Sequence, residues 1–224
     1  MKELIKHNRL YLILYILMLA IVGYYLWNYD KVTIHKAINA YVGNPYIDVF
    51  FKYVTHLGDG VVALIIGGLM LFISVRKSLY ILFSYVGAAI VSSLLKYIVY
   101  PDVFRPHATF GYFVREKLNL VPGVEMSALR SFPSGHALSA FALFFCLMFM
   151  TQRTGLKCLF FLLACIASFS RVYISQHWLI DIYVGSVIGV LFSVLFYSVF
   201  YHNSYSAPLD KPLSVLLKNR KQRV

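Results

Sequence analysis

Long apolar stretches, separated by short polar segments, make up most of the chain. Each stretch is close to the ~20 residues that an α-helix needs to cross a bilayer. The pattern therefore predicts an all-α membrane protein, built as a bundle of six transmembrane helices. The six predicted spans cover residues 10–28, 58–75, 78–99, 134–152, 157–175 and 180–201.

Two shorter helices are predicted between the first two spans. Apolar residues recur at helical spacing over residues 34–41 and again over residues 47–54, after a break at Asn44 and Pro45. One face of each helix is apolar and the other is polar. We therefore expect short interfacial helices that lie along the bilayer.

Composition supports a membrane location and a single domain. The chain has 224 residues, of which 60% are hydrophobic and 13% charged, and its mean hydropathy is +0.71. Soluble domains carry roughly 25% charged residues. Because no repeat or low-complexity segment divides the sequence, we expect residues 1–224 to form one domain.

The net charge of +12 would suggest nucleic acid in a soluble protein. Here many basic residues flank apolar spans, where anionic headgroups attract them, so we expect the lipid bilayer and no nucleic acid as a partner. The positive-inside rule then places both termini in the cytoplasm. The basic clusters behind this orientation are residues 2–9, 76–77, 153–157 and 211–223. The oligomeric state stays open.

The three cysteines form neither a disulfide pattern nor a metal-binding pattern. Cys146, Cys158 and Cys165 lie in or beside apolar runs, without C-x-x-C or Cys/His ligand spacing. We expect them to be packing residues, and we expect no metal or other cofactor.

Ionisable residues collect on the side opposite the basic clusters, and such residues beside apolar spans indicate a functional site. His177 and Asp181 are four residues apart and share a helix face if this stretch is helical. A carboxylate that accepts a hydrogen bond from one ring nitrogen leaves the other nitrogen free to attack. This pair is therefore predicted to be a histidine nucleophile with its orienting acid.

A second candidate histidine opens the fourth predicted span. Ser134 can cap the helix, and Gly135 allows the backbone to approach a ligand closely, so the helix start is a potential anion site. His136 would face a phosphate bound at this anion site. Its predicted role is general acid toward the leaving oxygen and then general base toward water.

Three cationic residues lie on the same predicted side as the two histidines. They are Lys96, Arg105 and Arg171. Guanidinium groups match the equatorial oxygens of a transferring phosphoryl group. The set therefore indicates phosphate chemistry.

These motifs resemble those of the type-2 phosphatidic acid phosphatases, a family that includes lipid phosphate phosphatases and vanadium haloperoxidases. The family signatures are K-x6-RP, PSGH and SR-x5-H-x3-D. The second is matched by residues 133–136 and the third by Ser170, Arg171, His177 and Asp181. In the first, eight residues separate Lys96 from Arg105. Either this segment loops out and Lys96 reaches the phosphate, or the arginines bind it alone.

The resemblance implies a function and a role for each residue. His177 would become phosphorylated, Asp181 would orient it, and His136 would protonate the leaving group. Lys96, Arg105, Ser134, Gly135 and Arg171 would bind phosphoryl oxygens. Bacterial branches of the family imply an inner-membrane enzyme with an outward-facing site, acting on undecaprenyl diphosphate, phosphatidylglycerol phosphate or lipid A phosphates. The apolar chain argues against haloperoxidase activity.

Two other functions are consistent with parts of the pattern. A lipid-phosphate binding or transport protein would use the basic residues without hydrolysis, although binding alone needs no nucleophile and acid. A zinc hydrolase would use His136, His177 and Asp181 as ligands, which three neighbouring cations disfavour. Residues 55–59, before the second span, are similar to a segment in bacterial members and are predicted to be structural.

Overall fold

The computed structural model describes residues 2–201 and 209–221, and these residues contain helices and no strand. The all-α fold class is therefore confirmed. Arg223 of the predicted basic tail lies outside the described residues. The α-helices are α1 Lys2–Asn28, α2 Lys31–Asn39, α3 Pro45–Val54, α4 Gly60–Met70, α5 Val75–Leu94, α6 Pro106–Thr109, α7 Gly135–Met150, α8 Thr154–Tyr173, α9 Leu179–Tyr201 and α10 Leu213–Lys221.

Six full-length spans are not present among the described residues. Four helices are long and apolar enough to cross a bilayer: α1, α5 with its π-helical extension to Val99, α8 and α9. The predicted span at 58–75 is shorter, because α4 ends at Met70. It continues backwards through a 3-10 turn at Thr55–Gly58 into α3 with a bend of 52°, and this pair counts as a fifth span if taken together.

Helix α7 is the centre of the bundle. It has 16 residues and packs against α5, α8 and α9. From Ala137 onward nearly every side chain is buried, which fits a helix that is apolar on all sides. The core around it is largely aromatic, with Phe141, Phe145 and Tyr80 at most 1% exposed. A helix surrounded by other helices needs no lipid-facing surface, which fits its burial on all sides.

Two glycines of α9 let that helix lie directly against α7. A Cβ atom at Gly185 would be 2.6 Å from the Ser134 carbonyl oxygen, and one at Gly189 would be 2.5 Å from the Leu138 carbonyl oxygen. Small residues four positions apart are a common means of close helix packing in membranes. This contact sets the distance between the helix starts that carry Ser134 and Asp181.

Gly189→Leu is expected to destabilise the bundle, because its side chain would force α9 away from the backbone of α7. Overpacking against backbone costs about 3 kcal/mol, which corresponds to a Tm lower by roughly 6–12 °C. Gly68→Leu is the matched control, since nothing lies within 4 Å of a Cβ there. Thermal unfolding in detergent measures both, and equal Tm values for the two variants would contradict this packing.

Helices α2 and α3 form where the apolar spacing predicts them. Asp30 and Asn44 cap their N-termini through side-chain oxygens. Their apolar faces do not all point toward lipid, however, because Phe51 packs on Tyr173 with ring centroids 4.4 Å apart. Part of each apolar face thus covers the end of the bundle, while Tyr46 stays 87% exposed.

Polar contacts tie the basic clusters together at the opposite end of the bundle. Lys157 Nζ donates to the His7 carbonyl oxygen at 2.6 Å, and Tyr11 donates to the Thr154 carbonyl oxygen at 3.0 Å. These bonds hold α1 against the start of α8. The basic end of the bundle is therefore opposite the end at which α7 and α9 begin.

Candidate active site

His177 lies in the turn between α8 and α9, and its imidazole contacts Asp181. His177 Nδ1 is 3.2 Å from Asp181 Oδ2, and both side chains are almost completely buried. The premise that this stretch is helical is wrong at His177, because α9 begins two residues later at Leu179. The turn instead folds so that the backbone N–H of Trp178 also donates to Asp181 Oδ2, at 2.9 Å.

Two further contacts hold the Asp181 end of the pair. Ser131 donates its hydroxyl to Asp181 Oδ2 at 2.5 Å, and the Ser134 N–H donates to the Asp181 carbonyl oxygen at 3.0 Å. No sequence pattern pointed to Ser131, because it lies in an irregular segment outside the PSGH signature. Its hydroxyl helps to keep the carboxylate in one orientation.

Burial and neighbouring cations keep His177 neutral. Desolvation lowers the pKa of His177 well below its usual value, and the charges of Arg105, Arg171 and Lys96 act in the same direction. The ring can therefore carry a proton on Nδ1, facing Asp181, and a lone pair on Nε2. A neutral imidazole of this kind can attack an electrophilic phosphorus atom.

Helix α7 begins at the same end of the bundle with the predicted cap. Ser134 is fully buried, and its hydroxyl oxygen accepts from the Ala137 N–H at 3.4 Å. Lys96 Nζ lies 3.9 Å from the position that a Cβ of Gly135 would take. The helix start and the lysine amine therefore face one another, as an anion site requires.

The segment between Lys96 and Arg105 begins in a π-helix. Residues Leu95–Val99 form a π-helix, closed by a hydrogen bond of 2.7 Å from the Tyr100 N–H to the Leu95 carbonyl oxygen. A π turn holds more residues than an α turn. Despite the longer spacing of the first signature, Lys96 lies close enough to Arg105 and Arg171 to interact with both electrostatically.

The two arginines are held by neutral partners. Arg105 Nη1 donates to Gln176 Oε1 at 2.8 Å and Nε donates to the Leu129 carbonyl oxygen at 3.1 Å. Arg171 Nη1 donates to Thr55 Oγ1 at 3.1 Å, while its buried Nε has no hydrogen-bond partner among the residues that the structure describes. Neither guanidinium in these contacts is neutralised by a carboxylate, so both keep positive charge for an anion. Sequence reasoning missed Gln176 and Thr55.

His136 has a partner that the sequence did not predict. Its Nε2 is 2.7 Å from Asp59 Oδ1, and Asp59 Oδ2 is 2.9 Å from His56 Nδ1. These contacts come from residues 55–59, the segment predicted to be structural. The only sequence signal for this segment was its resemblance to bacterial members.

A polar cavity of about 290 Å³ opens beside this cluster, lined by Lys96, Gly135 and His136. Next to it lies a mainly apolar groove of about 510 Å³ between α4 and α5. The cavity and the groove share Tyr85, Ala89, Ser93 and Tyr97. His177 is 1% exposed and is not one of the residues that line this cavity.

The described residues do not form the ligand set of a zinc site. Within the described part of the chain, no three His, Cys, Asp or Glu side chains are placed so that they could hold a metal ion. The candidate metal-ligating atoms of His177 and Asp181 contact each other instead. The predicted zinc-hydrolase alternative therefore has no geometric support here.

Comparisons with known proteins agree with this architecture. The structure resembles LpxE of Aquifex aeolicus, with 24% identity, a TM-score of 0.64, and coverage of 74% of this chain and 93% of that one. It also resembles the first transmembrane PAP2 type phosphatidylglycerolphosphate phosphatase from Bacillus subtilis, with 21% identity, a TM-score of 0.60, and coverage of 84% and 94%. At these identities the similarity concerns the fold.

No curated protein matches the chain. The model of the PAP2 superfamily, however, matches residues 77–205, more than half of the sequence. This range contains all eight predicted site residues from Lys96 to Asp181. The chain therefore belongs to the PAP2 superfamily and is a membrane phosphatase.

Proposed function

We propose that the protein hydrolyses a phosphate monoester or diphosphate of a membrane lipid through a phosphohistidine intermediate. His177 is the nucleophile, Asp181 orients it, and His136 is the general acid and then the general base. The observation that carries this proposal is the buried pair of His177 and Asp181, 3.2 Å apart and surrounded by three cations. A merely phosphate-binding pocket would need the cations but not this pair.

The reaction has two steps. His177 Nε2 forms a bond to phosphorus, the bond from phosphorus to the lipid oxygen breaks, and His136 gives that oxygen a proton. Water then attacks the phosphohistidine, the N–P bond breaks, and His136 takes the proton from water. Lys96, Arg105 and Arg171 stabilise the charge on the equatorial oxygens, together with the helix start at Ser134 and Gly135.

The site opens on the outer face of the membrane in this proposal. Its support is the separation of charges along the spans: the catalytic cluster lies at one end, and the basic residues at the start of α5 and α8 lie at the other. The positive-inside rule assigns the basic end to the cytoplasm. In a bacterial inner membrane, the lipid headgroup would then be hydrolysed on the periplasmic side.

The groove between α4 and α5 is the proposed place for the lipid chain. It is lined by apolar residues such as Leu64 and Ile90, and through Tyr85 and Ala89 it is continuous with the polar cavity beside His136. A phosphate in the cavity would thus be joined to a tail in the groove. The candidate lipids are undecaprenyl diphosphate, phosphatidylglycerol phosphate and lipid A phosphates.

Val86→Trp tests this assignment, since Val86 lines the groove but not the cavity. The indole would occupy the groove, so kcat/KM for hexadecyl phosphate is expected to fall about tenfold, or ~1.4 kcal/mol. Activity on butyl phosphate should be unchanged. Val199→Trp, at a similarly exposed position of α9, is the control. Equal effects on both chain lengths would show that the tail binds elsewhere.

A further inference from the structure

The carboxylate of Asp59 contacts the general acid of the proposed mechanism. Asp59 follows the 3-10 turn at Thr55–Gly58, directly before α4. Its Oδ1 is 2.7 Å from His136 Nε2, and its Oδ2 is 2.9 Å from His56 Nδ1. Asp59 is outside the three signatures and outside the matched residues 77–205. Each carboxylate oxygen therefore contacts one imidazole, and one of these is the ring that must deliver a proton.

The charges around His136 explain why it needs an acidic partner. Burial disfavours a positive charge on the His136 ring, and the nearby charges of Arg171 and Lys96 act in the same direction. Yet a general acid must hold its proton until the leaving oxygen takes it. Asp181 is engaged with His177, whereas Asp59 is in direct contact with His136 and opposes the two cations. Asp59 therefore favours the imidazolium that the first step consumes.

The backbone also fixes the relation between Asp59 and His136. A Cβ at Gly58 would be 2.9 Å from the His136 carbonyl oxygen, so the turn lies directly against the start of α7. Thr55, at the other end of the turn, accepts from Arg171 Nη1 at 3.1 Å. Anchored at both ends, the turn can hold the carboxylate in one position relative to the imidazole.

We propose that Asp59 is a positioning residue for the general acid: its carboxylate orients His136 and favours the protonated form that transfers a proton to the leaving oxygen. The proposal rests on the proposed function of His136. In the first step the bond from phosphorus to the lipid oxygen breaks as the N–P bond to His177 forms. The proton of His136 goes to the leaving oxygen, which departs as an alcohol from a monoester or as a lipid monophosphate from a diphosphate, and the neutral His136 stays hydrogen-bonded to Asp59.

A comparison of two leaving groups distinguishes this role of Asp59 from a purely structural one. An alkyl phosphate such as dodecyl phosphate expels a strongly basic alkoxide and needs the proton, whereas p-nitrophenyl phosphate expels a weakly basic phenolate. The constant kcat/KM reports on steps up to the first irreversible one, here phosphoryl transfer to His177. We therefore compare kcat/KM for both substrates in wild type, Asp59→Asn, His136→Gln and the exposed control Asp30→Asn.

Asp59→Asn is expected to lower kcat/KM about 10²-fold for dodecyl phosphate, within the range of general acid catalysis, and less than about threefold for p-nitrophenyl phosphate. The alkaline limb of its pH profile should move to lower pH, because His136 loses its proton more readily. Asp59→Glu, which keeps the charge, should recover part of the loss. Asp30→Asn should behave as wild type.

Other outcomes separate this proposal from the proposed function. Equal losses on both substrates in Asp59→Asn, with discrimination in His136→Gln, would overturn the role of Asp59 alone. If His136→Gln also fails to discriminate, the general-acid assignment itself is wrong. If Asp59→Asn does not fold, Asp59→Glu decides: an unchanged alkaline limb and equal losses on both substrates would overturn the proposal, and unequal losses would support it.

Discussion

His177→Ala is expected to lower kcat for phosphate release by at least about 10⁴-fold, because no other group can form the covalent intermediate. The side chain is 1% exposed and its Nδ1 faces Asp181. Burial and three cations lower the pKa of His177, so that the wild-type ring is neutral and nucleophilic at pH 7. Phosphate release from a detergent-solubilised lipid phosphate measures the effect.

The control for this prediction is His107→Ala, which changes an exposed histidine of α6 on the same side of the bundle. Its activity should stay close to wild type. Undiminished turnover in His177→Ala would contradict the mechanism. Binding of the lipid phosphate that persists in His177→Ala without hydrolysis would fit the account, since the cations remain. A non-hydrolytic binding protein, by contrast, would show no turnover in the wild type.

Arg171→Lys is expected to lower kcat/KM by about 10²–10³-fold, the range seen when one donor to a developing charge is removed. Lysine keeps the charge but loses the planar fork that matches two phosphoryl oxygens. In the wild type, Arg171 Nη1 is held by Thr55 Oγ1, and its Nε is buried without a partner among the described residues. That donor is available to an incoming phosphoryl oxygen.

Arg153→Lys is the matched control, since Arg153 precedes α8 at the opposite end of that helix and is exposed. Its kcat/KM should equal that of wild type. A steady-state comparison on one lipid phosphate tests both variants. If Arg171→Lys loses less than about threefold, the guanidinium fork does not contact the transferring group, and the phosphate must bind away from Arg171.

The sequence predicted the catalytic pair but not the way in which it forms. A spacing of four suggested a shared helix face for His177 and Asp181, whereas His177 precedes the helix. Asp181 reaches back to the Trp178 N–H and to Ser131, and these bonds bring it to the imidazole. Such contacts depend on how a turn folds, which residue spacing alone does not determine.

The helices themselves were predictable where apolar periodicity was strong. Helices α8 and α9 follow the predicted stretches closely, because each presents apolar side chains along most of its length. Helix α1 ends where predicted but begins at Lys2, eight residues before the predicted start, because its first turns are polar. The stretch at 58–75 was less informative, since α4 ends at Met70 and continues through a bend into α3. Hydropathy along the sequence indicates which stretches are apolar, but it does not indicate where the axis of a helix bends.

Contacts between distant segments were the least predictable part of the site. Asp59 meets His136 although 76 positions separate them in the sequence. Gln176 likewise holds Arg105 across a large separation. Neither contact leaves a periodic or spacing signal, because each depends on how segments that are distant in the sequence pack together. The signatures identified the chemical groups, and the fold supplied their partners.

The most direct test of the central claim is to identify the phosphorylated residue in His136→Gln during turnover of p-nitrophenyl phosphate. This substrate needs little protonation of its leaving group, whereas water attack on the intermediate needs the base, so the covalent species should accumulate. Alkaline quenching, which preserves phosphohistidine, followed by mass spectrometry of the peptides is predicted to place one phosphate on His177 and none in a His177→Ala background. Phosphate on another residue, or release of p-nitrophenol with His177 unmodified, would contradict the mechanism.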